Sequence, residues 1–175
     1  MRDRDSLIWL ESTGGPLILL EEDLVPYWRG HLSSFNSDVT DYERACEVWD
    51  YLGNIKVASR SGVLLGEQPY ATTWWEPSEL DDGLIVRWVS GEDEAASIQE
   101  LTQVPISNWE RTNVEIEVVN GRLVLFDSVE PGDNIETFIV IQKPKGTYVA
   151  ETQHYNPDSN TSLILHRFVP KTTEV

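Results

Sequence analysis

Cysteine, methionine and basic residues are all scarce in this sequence. It has one cysteine, Cys46, and one methionine in 175 residues. A lone cysteine excludes an internal disulfide framework and any Cys-x-x-Cys metal or redox pair. Lys and Arg number 13 against 30 Asp and Glu, leaving a formal net charge of −17. Phosphate backbones repel a surface of that sign, which argues against direct nucleic-acid binding. No apolar run reaches the length of a bilayer span, and the opening Met-Arg-Asp-Arg-Asp lacks a signal-peptide pattern. The expectation is a cytoplasmic protein that does not enter a membrane. Glycine-rich phosphate loops, His-Glu-x-x-His and Gly-x-Ser-x-Gly are absent too. Those signals are local and hard to miss, so a non-enzyme is expected, with no catalytic residue, cofactor or metal.

What is present argues for one folded domain spanning residues 1–175. The chain carries seven tryptophans and 40% hydrophobic residues, more than a disordered chain holds. Asn120-Gly121 separates the β-rich runs 114–119 and 122–127, and it is the pair that a type I′ turn favours. That turn would set Val118 opposite Leu123 and Ile116 opposite Leu125 on a buried face, at the centre of the main sheet. The other face would carry Glu115, Glu117 and Phe126. Thr13-Gly14-Gly15-Pro16 reads as the turn of an N-terminal hairpin between 8–12 and 17–20. Further strands are expected at 55–58, 63–65, 70–75, 84–89, 135–142, 147–155 and 162–168. Thr40-Asp41-Tyr42-Glu43 is a capping box for a helix that places Ala45, Val48, Trp49 and Leu52 on one face, with Gly53 as its stop. Asp93 and Glu94 put acids into the first turn of a second helix, over Ile98 and Leu101. The fold class is α+β and β-rich: an antiparallel sheet or sandwich of meander-connected strands with two helices.

Two groups of side chains are candidates for function. His154 and His166 fall on adjacent C-terminal strands near Glu151, so a small β-rich metal-dependent enzyme is one alternative. Positions 151 and 154 differ in parity, however, and project from opposite faces of a regular strand. The second group is Trp75, Glu76, Glu79, Asp81, Asp82, Glu92, Asp93 and Glu94. Arg87 is the only base between Trp74 and Glu94. Aromatic anchors within an acidic rim suit a basic protein partner. Adjacent Trp74 and Trp75 cannot face the same side of a strand, so one of them is expected to be available. The mixed face of Glu115, Glu117 and Phe126 is the next candidate. A structural protein that self-associates through its tryptophans is the other alternative, and the sequence leaves the oligomeric state open. Cys46 reads as a small core residue.

Specific strings then add to this reading. Trp9-Leu10-Glu11-Ser12-Thr13-Gly14-Gly15-Pro16-Leu17-Ile18-Leu19-Leu20 with Tyr27-Trp28-Arg29-Gly30 resembles the opening of the bacterial immunity protein 21 family. The similarity continues through Arg44-Ala45-Cys46, Tyr51-Leu52-Gly53, Leu65-Gly66-Glu67-Gln68-Pro69 and Thr72-Thr73-Trp74. Val86-Arg87-Trp88, Gly121-Arg122-Leu123-Val124-Leu125-Phe126-Asp127-Ser128 and Ser162-Leu163-Ile164-Leu165-His166-Arg167 complete it. The resemblance implies a protein made beside a polymorphic toxin, which protects its producer by binding and inhibiting that toxin. It implies no enzymatic activity, and it assigns neither the contact residues nor the chemistry of the toxin. A basic, cytosol-acting nuclease would complement the acidic surface.

Overall fold

Leu17-Ile18-Leu19-Leu20 is apolar at four successive positions, which requires a strand covered on both faces. The computed structural model, which describes residues 7–33, 37–66, 68–77, 83–105 and 107–172, places it so. Strand β1 (Leu17–Glu21) is buried along its whole length. It is followed by the short helix α1 (Asp41–Ala45), then β2 (Leu52–Val57), β3 (Arg60–Leu65), β4 (Ala71–Trp75) and β5 (Leu84–Ser90). Helix α2 (Glu94–Glu100) leads to β6 (Glu110–Val118), β7 (Arg122–Asp127), β8 (Phe138–Gln142), β9 (Gly146–Tyr155) and β10 (Ser162–Pro170). The strands form two antiparallel sheets, ordered β2-β3-β1-β7-β8 and β4-β5-β10-β9-β6. Hairpins β2–β3, β4–β5, β7–β8 and β9–β10 supply the expected meander connections, and the remaining pairings are long-range.

Three apolar clusters give four layers. Leu17, Leu19, Leu123, Leu125 and Ile141 from the first sheet meet Ile85, Ile116, Val118, Tyr148 and Phe168 from the second. This is the interior of a face-to-face sandwich. Ile18, Leu20, Val124 and Phe126 point the other way, under Leu24, Val25, Trp28 and Ala45. The outer face of the second sheet holds Leu84, Val86, Leu163 and Leu165, covered by Leu101 with half-buried Trp9, Trp75, Trp88 and Trp109.

Three tight turns, two of which the sequence presents as hairpin turns, are corners between the sheets. Ile116, Val118, Leu123 and Leu125 are all buried on one interior, as their pattern requires. The strands carrying them do not pair: β6 bonds only to β9 in one sheet, and β7 to β1 and β8 in the other. A type I′ turn needs positive φ at both central residues. Of the two, Gly121 alone has it, at +86°. The amides of Val119 and Asn120 are taken by a competitor, Oε1 of Glu21 on β1, at 2.6 and 2.7 Å. Thr13–Pro16 behaves alike. Leu10 bridges Thr72 of the second sheet while β1 enters the first. Thr13 donates its amide and hydroxyl to the Asp127 carboxylate at 2.8 and 3.0 Å. Lys143–Lys145 likewise carries the chain from β8 into β9 across the sandwich.

The capping box forms: the Glu43 amide donates to Thr40 Oγ1 at 3.1 Å and the Thr40 amide to Glu43 Oε2 at 2.7 Å. The helix it starts ends at Ala45 and does not reach Leu52. Val48 is drawn down instead. A Cβ on Gly53 would lie 2.7 Å from Val48 Cγ1, and one on Gly66 would lie 3.2 Å from it. Seating Val48 against these two glycines breaks the helical register, and Leu52 goes into β2. The second helix forms with Asp93 as its N-cap, accepting the Ala96 amide at 2.6 Å.

Candidate interaction surface

Adjacent Trp74 and Trp75 diverge as strand geometry demands. Trp74 packs on the sandwich interior, its indole N–H donating to Glu76 Oε1 at 2.9 Å, while Trp75 packs into the outer cluster of the second sheet. Both are half-buried, so Trp75 offers an edge and no more. Glu79, Asp81 and Asp82 lie outside the described residues. Of the remaining candidate acids Glu76 adjoins Trp75, whereas Glu92, Asp93 and Glu94 do not. Trp75 pairs with Leu84 at one end of the β4–β5 hairpin, and Ala71 pairs with Trp88 at the other. Glu92, Asp93 and Glu94 follow that second end, about 15 Å of strand away from Trp75.

The three carboxylates differ in what they can do. Asp93 is committed to capping α2. Glu92 is exposed. Partial burial, then the negative charges of Glu11 and Asp93 close by, raise the Glu94 carboxyl above the ordinary range. Like charges are therefore crowded here, a field that a cationic partner would relieve. The second candidate face does not assemble. Glu115 and Glu117 lie on edge strand β6, whereas Phe126 is 0% exposed on the far side of the first sheet. Glu115 is in addition tied down: the Asn54 side-chain amide donates to its carbonyl at 2.7 Å and accepts its N–H at 3.1 Å, stitching β2 to β6.

The histidines are held in the framework. Glu151 faces outward and pairs with Arg167 at 2.7 Å, whereas His154 packs edge-on against Tyr51 with ring centroids 5.0 Å apart. His166 is 0% exposed, with Nδ1 2.9 Å from Thr152 Oγ1. Burial first, then the Arg87 guanidinium and His154, hold its imidazole well below the ordinary value of 6.5. Among the described residues no three His, Cys, Asp or Glu side chains converge as metal ligands. Arg87 is itself 1% exposed and reaches across the sandwich to donate to the carbonyls of Gly66 and Gln68 at 2.7 and 2.8 Å, and to Tyr51 at 3.4 Å.

One aromatic that the sequence places in the core stands in water. Trp49 is 89% exposed, beside exposed Cys46, Glu47 and Asp50. Helical spacing from Ala45 hid it. The usable signal was the alternation of Leu52, Ile55 and Val57, which begins a strand too soon for a helix to run through Trp49.

Buried Arg87 thus braces the loops at Tyr51, Gly66 and Gln68, and acids outnumber bases across the sequence. The family model described as Immunity protein 21 matches residues 8–161, and the chain belongs to that family. No curated protein and no solved structure matches it. No described helix is long and apolar enough to cross a membrane.

Proposed function

We propose that this chain acts in the cytoplasm, binding and inhibiting the toxin of a polymorphic toxin system, and that the toxin is a basic enzyme of the nuclease type. Membership of the immunity family over residues 8–161 carries the reading. The sign of the partner follows from the net charge of −17 and from the crowding of Glu94 with Glu11 and Asp93. A nuclease has a cationic groove for phosphates, which is the complement of such a field. Glu76, Glu92 and Glu94 are the described carboxylates assigned to the contact, with Trp75 at its margin.

Exposed charges act on encounter more than on lifetime, and salt screens them over about 10 Å at roughly 0.1 M. Reversing Glu76, Glu92 and Glu94 to lysine, with Asp93 kept as the helix cap, should slow association with the toxin domain encoded beside this chain. The slowing should be largest at low salt. Unchanged association at low salt would show that the acidic surface serves solubility alone.

A further inference from the structure

Trp49 is the most exposed large hydrophobic side chain among the described residues. Leaving an indole in water forgoes a burial term of about 25 cal/mol per Å², and tryptophan is the residue most enriched at interface hot spots. The loop that carries it is braced on both sides. On one side Val48 is seated against Gly53 and Gly66. Immediately after it, the Asp50 carboxylate accepts the Tyr51 amide at 2.7 Å, and the Tyr51 carbonyl accepts the Gly66 amide at 3.0 Å. Buried Arg87 holds the same two residues from inside, through their carbonyls. An aromatic presented on such a braced turn loses little conformational entropy on binding.

Charge indicates what covers it. Asp38, Asp41, Glu43, Glu47 and Asp50 surround Trp49 in the chain, and Arg44 is the only base among them. Arg44 is paired with Asp41 at 2.7 Å. The Arg87 and His154 contacts to Tyr51 put this loop at the end of the sandwich where β5 finishes, the end that also carries Glu92 and Glu94. We propose that Trp49 is the anchor through which this chain grips a basic protein partner, with the carboxylates at its end of the sandwich steering the encounter. This rests on the immunity reading and makes the toxin domain the occupant. A second copy is the poorer fit, because two chains of net charge −17 repel one another.

The test is the binding kinetics of the full chain against a catalytically inactive form of the toxin domain encoded beside it. Trp49→Ala should raise the dissociation rate about thirtyfold or more while leaving association nearly unchanged. Trp49→Phe should recover much of the lifetime. The indole is in water, so both variants should melt like the parent. Oxidation of Trp49 by N-bromosuccinimide should be suppressed in the complex. A parent chain that does not bind this domain overturns the immunity reading and the anchor with it. Parent binding with an unchanged Trp49→Ala lifetime overturns the anchor alone. Self-association that Trp49→Ala abolishes would assign the surface to a second copy and also overturn it.

Discussion

The Glu21 carboxylate accepts the backbone N–H of Asn120 at 2.7 Å, joining residues 99 apart in sequence. The same carboxylate takes the Val119 amide and pairs with Arg60. One side chain from the middle of the first sheet thus fixes the corner at which the chain leaves the second. It is 1% exposed, so nothing in solvent can substitute for it.

Glu21→Ala strands two amides and leaves Arg60 without its buried partner. Hydrogen bonds to a charged group are worth about 1.5–3 kcal/mol, and partly exposed Arg60 keeps Asp23 as a partner. Chemical denaturation should show a loss of that order. Glu22→Ala, which removes an exposed pair with Arg122, should change stability by no more than about 0.5 kcal/mol. Equal effects would mean that the corner does not depend on Glu21.

Acid should destabilise the fold through His166. Its folded imidazole titrates well below 6.5, the value for an unperturbed side chain. The unfolded chain therefore takes up a proton as pH falls through 6.5, while the folded chain stays neutral at that site. Protonation favours unfolding, so the contribution of His166 is complete above 6.5 and is lost progressively below it. The slope is at most about 1.4 kcal/mol per pH unit for one proton. His166→Gln should flatten the stability profile just below 6.5, above the range where carboxylates titrate. A profile unchanged by the substitution would show that another group sets it.

Asp93 and Glu92 are neighbours with different duties. Asp93→Ala should cost about 1 kcal/mol through loss of the cap, read as faster amide exchange across α2. Glu92→Ala should leave that exchange unchanged. If the two substitutions perturb α2 alike, the Asp93 contact to Ala96 is not what starts the helix.

Local chemistry was legible in the sequence wherever the competing groups were also local. Thr40 and Glu43 cap each other three residues apart, and residue parity sends Ile116 and Val118 of one sheet and Leu123 and Leu125 of the other into one interior. The choice of partner strand was not legible. Asn120-Gly121 fits a hairpin as well as a corner, and the carboxylate that decides between them arrives from residue 21. Trp49 was misplaced for the same kind of reason. The helical spacing Ala45–Val48–Trp49–Leu52 is overridden by a glycine-lined seat for Val48, built from Gly53 and from Gly66 at the end of another strand. Of the acidic candidates, Glu92 and Glu94 do share a surface, but strand direction carries them away from Trp75.

Strand β10, the last of the described strands, is the central strand of its sheet, hydrogen-bonded to β5 on one side and β9 on the other. Without residues 162–170 the second sheet is two halves, β4-β5 and β9-β6, with nothing between them. Pairings between such distant segments are slow to form, and open strand edges invite aggregation in the meantime. The second sheet is therefore complete only once β10 seats between β5 and β9.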